Sequence, residues 1–295
     1  MIPATAKTRI QFSNLLFATD FSPAAARAIP YVKAIAKHYG AQVVALHVAA
    51  PEVNPTTHPE SWSGALEAED DRRQARRREL LAEFADIPTK SMVEQGDILF
   101  NVYSAIEKND VDLAIIGTHG RTGLGKFVLG SIAEEIFRNV ACPVLTVGPH
   151  AGTDRGTEIR EILFATDLSP ESMGAGAHAV SLAQEFQAHL VLLHVVKDLK
   201  VGDLVTTADV AESSEKLLHR FLPPDAELWC KPEYIVAEGD AAARILEAAA
   251  KRKSDLIVLG IKPETGVPGA STHLPIATAH KVVCQAPCPV LTIRH

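Results

Sequence analysis

Asn14 to Val48 reads NLLFATDFSPAAARAIPYVKAIAKHYGAQVVALHV, and Glu161 to Val195 reads EILFATDLSPESMGAGAHAVSLAQEFQAHLVLLHV. The two stretches align without a gap at an offset of 147 residues, so the chain is a tandem duplication. Later echoes keep the pairing: VEQGD at Val93 to Asp97 answers VAEGD at Val236 to Asp240, and CPVLTV at Cys142 answers CPVLTI at Cys288. A repeat of this length in 295 residues predicts two domains, 1–149 and 158–295, each long enough to bury its own core.

Within each half, short β-branched runs alternate with longer amphipathic stretches, which is the pattern of a parallel sheet covered by helices on both faces. Strands are expected near Asn14–Ala18, Gln42–Val48, Thr89–Glu94, Asp112–Gly117 and Pro143–Val147, with helices near Pro23–Tyr39, Gly64–Ala85, Ile98–Asn109 and Ser131–Asn139. The second half predicts strands near Glu161–Ala165, His189–Val195, Leu228–Ala237, Asp255–Gly260 and Pro289–Ile293. Its helices fall near Pro170–Phe186, Thr207–Phe221, Ala241–Lys253 and Ala277–Gln285. The fold class is α/β: two tandem Rossmann-like doubly wound domains. Both first helices open with Ser-Pro, Ser22-Pro23 and Ser169-Pro170, where a hydroxyl caps free N–H groups and proline takes the first helical position. Gly148 to Arg160 reads as a short polar linker, and the Pro-rich Pro51 to Gly64 as either a flap over the sheet end or an exposed insertion.

Composition narrows the partners. With 29 Lys plus Arg against 36 Asp plus Glu, the net charge of −7 disfavours nucleic acid and anionic membrane. The arginine-rich run Glu67 to Glu79 interleaves acids and bases at spacings of three and four, as in Glu69 and Arg73, and reads as a solvated helix face. Four cysteines without a repeated paired spacing suit a reducing compartment, and the N-terminus has no apolar run of signal-peptide length. A soluble, cytoplasmic protein is expected.

A phosphate-bearing ligand therefore needs a local site. Asp20 and Asp167 follow the first strand of each half, where open parallel sheets bind ligands; each either meets a ribose or adenine group or closes an Asx turn. After the fourth strand comes GTHGRTGLGKFVLGSIAEE, in which Gly117, Gly120 and Gly130 are spaced G-x2-G-x9-G and Ser131 follows. Glycines let consecutive backbone N–H groups close on phosphate oxygens, and Gly130-Ser131 opens a helix whose free N–H groups favour an anion. Ser131 and Glu134 also fit a capping box. Arg121 and Lys126 are counter-charge candidates within the loop.

These motifs together, FATDFS or FATDLS, LHV, GTHGRTG…GS and the closing CPVLTV or CPVLTI, resemble the universal stress protein family of the adenine-nucleotide α-hydrolase-like group, over both halves. The resemblance implies ATP binding, with or without Mg2+, by Ala18, Thr19, Asp20, Val48, Gly117, Gly120, Gly130 and Ser131, with Val48 acting through its backbone; Arg121 joins the expected cofactor-binding set as the counter-charge candidate of the loop. It also implies a strand order of 3-2-1-4-5 and association through the last strand, as an intrachain pseudo-dimer or a homodimer. The second half departs from the pattern: Gly260 survives, Pro263 stands where the second glycine would be, and Ile276 and Ala277 stand for Gly130 and Ser131. Proline has no N–H and isoleucine crowds the approach, which predicts one functional site per chain.

Neither an SGGxDS loop nor an HxGH pair is present, and His119 beside Gly120 has no aspartate or nucleophile spaced to form a relay with it, so no catalytic residue is assigned. A stress-response binding protein is expected; a slow ATPase and a nucleotide-independent interaction module are the rivals. His47 and His194 share a position on the second strands and read as residues packed under the site. His119 lacks a relay partner, and a zinc role for Cys284, Cys288 and His280 is disfavoured because Cys142, the mate of Cys288, has no partner cysteine. No metal site is assigned.

Overall fold

A computed structural model of the chain describes residues 9–49, 62–118, 131–151, 156–196, 207–222, 230, 232–261 and 274–294. The first half runs β1 (Asn14–Ala18), α1 (Pro23–Ala26), α2 (Ile29–Tyr39), β2 (Gln42–Ala49), α3 (Trp62–Glu83), β3 (Thr89–Gln95), α4 (Ile98–Lys108), β4 (Leu113–Gly117), α5 (Ser131–Asn139) and β5 (Val144–Val147). The second half repeats it with β6 (Glu161–Thr166), α6 (Pro170–Phe186), β7 (His189–Val196), α7 (Thr207–Leu218), a 3-10 turn His219–Phe221, β8 (Glu233–Glu238), α8 (Ala241–Arg252), β9 (Leu256–Ile261), α9 (Leu274–Gln285) and β10 (Val290–Arg294).

All ten strands join one sheet in the order β3-β2-β1-β4-β5-β10-β9-β6-β7-β8. Each half therefore has the expected order 3-2-1-4-5, parallel throughout, and β5 pairs with β10 in antiparallel register. Leu145 lies opposite Leu291, its own counterpart in CPVLT, so a pseudo-twofold axis passes through the sheet between them. Because the strands of the second half run opposite to those of the first, the carboxyl ends of the two sets emerge at opposite edges of the sheet. The edge of β5 that would pair with another chain is filled by β10.

Two apolar layers cover the sheet. Leu15, Phe17, Val32, Leu80 and Phe84 pack on one face together with Phe164, Ala179, Leu182 and Phe221 of the second half. Leu16, Val102, Ile136 and Phe137 pack on the other with Leu163, Ile245, Val282 and Val283. Alternate residues of β1 serve opposite layers, which is why that strand reads as an unbroken apolar run. Equivalent residues also meet beside the axis. His38 stacks on Phe186 with ring centroids 4.2 Å apart and its Nε2 lies 3.4 Å from a Glu185 oxygen. Arg9 clasps the same carboxylate with both ends of its fork, at 2.8 and 2.9 Å, which holds Glu185 below the usual carboxylate range.

Local chemistry explains most element boundaries. Ser22 accepts from the Ala25 N–H and Ser169 from the Ser172 N–H, as expected of the two N-caps. The repeated Gly-Asp pair starts α4 and α8: Gly96 (φ +112°) and Gly239 (φ +122°) turn the chain, and Asp97 and Asp240 accept from the N–H three residues on, at 2.7 and 3.0 Å. Two expectations need correction. The helix read across Pro23–Tyr39 is broken into α1 and α2, because Pro30 has no N–H for the carbonyl of Ala26 and its ring crowds that carbonyl. The mate of Pro30 is Ala177, and α6 is continuous. The last helix begins at Leu274 rather than near Ala277, with Pro275 in its first turn, a position where the missing N–H costs no helical hydrogen bond. Most of the Pro51–Gly64 stretch lies outside the described residues.

Candidate functional site

β1 lies between β2 and β4, and the connections leave it in opposite senses: α1, α2 and α3 cover one face, α4 and α5 the other. The crevice at the carboxyl ends of β1 and β4 is therefore the topological switch point, where a doubly wound sheet takes its ligand. Ala18, Thr19, Asp20, Val48 and Gly117 all fall at this edge, since Ala18 pairs with Leu46 on one side and Ile116 on the other.

A compact set of hydrogen bonds turns the chain here. The Thr19 N–H donates to the Leu46 carbonyl at 2.9 Å, and its hydroxyl oxygen accepts from the Phe21 N–H at 3.0 Å. Asp20 Oδ1 accepts from the Ser22 N–H at 2.9 Å, so the carboxylate does close an Asx turn. Phe21 is thrown to φ +60°, a left-handed conformation unusual for an aromatic residue. The second half builds the same turn with Thr166, Asp167, Leu168 (φ +61°) and Ser169. The Asx turn thus belongs to the fold, and one oxygen of each aspartate is committed to it.

Gly117 has a steric reason that the glycine spacing did not reveal. A Cβ built on it would stand 2.6 Å from the Ala24 carbonyl oxygen and 3.0 Å from the Ala25 Cα. The residue lets α1 lie directly against the end of β4. Gly260 does the same less tightly, with Ser172 Cα at 3.1 Å. Ser131 begins α5, whose N-terminus faces the same sheet edge because the helix runs back antiparallel to β4. Gly120, Arg121 and Gly130, with His119 and Lys126, lie outside the described residues, as does the Ser131 side chain. In the second half Ile276, the counterpart of Gly130, falls inside α9.

Sequence reasoning missed Asp112 and Asp255, although the repeated Asp-Leu at the start of β4 and β9 was a signal. Asp112 Oδ2 accepts from the Ser13 N–H at 2.7 Å and Asp255 Oδ2 from the Arg160 and Glu161 N–H groups at 3.0 Å. Each carboxylate ties the central strand of its half to the neighbour at the edge opposite the site. Burial raises the Asp112 pKa, and the backbone donors counter that in part. Elsewhere, Cys284 Sγ lies 4.0 Å from His280 Nε2, and the thiol of Cys288 is buried and pushed up to about 12. Among the described residues no group of three metal-ligating side chains is assembled.

Two hollows lie along the seam between the halves. One, of about 20 Å³ and lined by Phe12, Tyr31, Leu145, Ile159 and Leu291, has room for about one water. The other is an open groove of about 620 Å³ whose charged walls pair with one another, Arg9 with Glu185 and Arg160 with Glu158. Neither offers what the switch point does.

A tandem pair of Rossmann-like domains, each with a turn of this kind at its switch point, defines the class of protein. Residues 11–148 and 158–294 each match the profile of the universal stress protein family, and the chain belongs to that family. A universal stress protein of Mycolicibacterium smegmatis is 29% identical over 295 residues, covering 95% of this chain and 97% of its own. One of Methanocaldococcus jannaschii is 29% identical over 141 residues, which is 46% of this chain and 82% of the relative. The crystal structure of a universal stress protein from Archaeoglobus fulgidus superposes with a TM-score of 0.69 at 18% identity, over 97% of this chain and 99% of that one. At that identity the likeness concerns the fold.

Proposed function

We propose that this protein is a stress-response regulator that binds one adenine nucleotide, ATP with or without Mg2+, at the switch point of its N-terminal domain. The observation that carries the proposal is the meeting of Thr19–Asp20, Val48, Gly117 and the N-terminus of α5 at one sheet edge. Thr19, Asp20 and the Val48 backbone suit a base and ribose, while Gly120, Arg121, Gly130 and Ser131 suit the phosphates. The C-terminal domain keeps the turn and Asp167, but the counterpart of Gly130 is Ile276, already within the first turn of α9, so a β-branched residue stands where the first half has a glycine ahead of its helix. Domain bounds of 1–149 and 158–295 fit this division. Action through ligand-dependent shape or partner choice rather than fast turnover, in the cytoplasm, completes the reading; it is supported by a sequence without an SGGxDS loop or an HxGH pair and by four cysteines without a repeated paired spacing. Among the described residues no helix is long and apolar enough to cross a membrane.

Equilibrium dialysis with labelled ATP and Mg2+ tests this. One nucleotide per chain is expected, with Gly130→Ile weakening it at least tenfold and Asp167→Ala leaving it unchanged. Two nucleotides per chain, or equal losses in both variants, would refute the one-site assignment.

A further inference from the structure

His47 is buried on β2, one residue before Val48, with its Nδ1 2.8 Å from the Thr19 carbonyl oxygen. A carbonyl only accepts, so Nδ1 carries the proton. Both backbone groups of Thr19 are thereby tied to β2: its N–H to the Leu46 carbonyl and its carbonyl to the His47 ring. The peptide joining Thr19 to Asp20 cannot rotate without breaking that bond, and it is held in register with Val48.

His194 repeats the contact in the second half, with Nδ1 2.9 Å from the Thr166 carbonyl oxygen. The twins differ in burial and in ring neighbours: His47 is buried and His194 half-buried. Phe21 sets its ring edge-on to His47, centroids 4.8 Å apart, and the Arg76 guanidinium covers the Phe21 ring at 4.3 Å. At the equivalent place stands Leu168, which has no ring to offer.

We propose that His47 is a positioning residue of the N-terminal site: by donating to the Thr19 carbonyl it fixes the Thr19–Asp20 peptide against β2, so that the aspartate and the Val48 backbone meet one ligand together. This rests on the nucleotide reading given above. His194 makes the same bond where no ligand is expected, and so serves as an internal control for damage to the fold.

The test is titration of the full chain with ATP and Mg2+, alongside thermal melting. His47→Leu is expected to weaken binding about tenfold, the effect of one buried hydrogen bond. His47→Asn carries an N–H donor at the Nδ1 position and should bind within about threefold of wild type, whereas His47→Gln, one atom too long, should resemble His47→Leu. Both His47→Leu and His194→Leu should lower the melting temperature, since each loses one hydrogen bond to a threonine carbonyl, but His194→Leu should leave affinity unchanged. Long-range proton–nitrogen spectra should show His47 protonated at Nδ1. Unchanged affinity in His47→Leu, no recovery in His47→Asn, an equal loss in His194→Leu, or the Nε2–H tautomer would each overturn the positioning role while leaving the nucleotide site standing. Absence of ATP binding by the wild type would instead sink the nucleotide reading, and the role with it.

Discussion

Replacing Gly117 by alanine tests whether the end of β4 is glycine because a helix lies against it. The added Cβ would sit 2.6 Å from the Ala24 carbonyl oxygen, about 0.8 Å short of the 3.4 Å at which ordinary contact begins. The neighbours are backbone atoms of α1, which cannot swing aside as a side chain would. Overpacking of this kind costs about 3 kcal/mol, near the top of the usual range. Gly117 is outside the left-handed region, so alanine recovers about 0.5–1 kcal/mol by restricting the unfolded chain, and the net loss is about 2 kcal/mol. At Gly260 the contacts are 3.1 Å and beyond, and the two effects nearly cancel. With a urea slope of about 2 kcal/mol per molar, Gly117→Ala should lower the unfolding midpoint by about 1 M and Gly260→Ala by less than about 0.3 M. Since α1 follows directly from Ser22, displacing it should also disturb the Thr19–Asp20 turn and weaken ATP binding. A Gly117→Ala protein with the wild-type midpoint, or one no worse than Gly260→Ala, would show that α1 does not require the close approach.

Two further outcomes are expected. Burial holds the Asp112 carboxyl above its ordinary range, so the folded state binds that proton more readily than the unfolded chain, and this contribution to stability is lost as pH rises through the folded value. Urea midpoints measured from pH 3 to 7 should therefore rise in Asp112→Asn relative to wild type as pH increases, and a constant difference would contradict the assignment. The thiols of Cys142 and Cys230, pushed up by burial to about 11, and that of Cys288, at about 12, should be inert in the native protein at pH 8. Ellman's reagent should label the buried Cys230 and Cys288 only after unfolding and leave the half-buried Cys142 nearly unlabelled before it, with about one thiol in a thousand ionised at that pH for Cys142 and Cys230; rapid native labelling of any of the three would contradict its raised value.

Much of the architecture was legible because it is written locally. Alternation along β1 and β6, Ser-Pro at the two helix starts and the Gly-Asp pairs before α4 and α8 each act over two to four residues. Duplication then reinforced every assignment by showing it twice. The break after Ala26 was equally local, and Pro30 signalled it, but the apolar periodicity runs through the break and hides it. The early start of α9 takes in Pro275, which a helix beginning near Ala277 leaves outside and which serves instead as a first-turn residue.

The sequence by itself determined a duplicated α/β chain, the turn residues at each switch point and the loss of the glycine loop in the second copy, because these depend on patterns and pairwise matches visible along the chain; the strand order came through the family resemblance that those motifs carry. Tertiary structure alone decided that Gly117 answers to α1, that Asp112 and Asp255 staple the far edge, that His47 reaches Thr19, and that β5 meets β10 on an axis sending the two switch points to opposite edges. Those contacts join residues from 28 to 148 positions apart for the bonds that carry them. Which partner wins at such separations is set by register and close fit in the folded chain, for which no short-range pattern is a proxy.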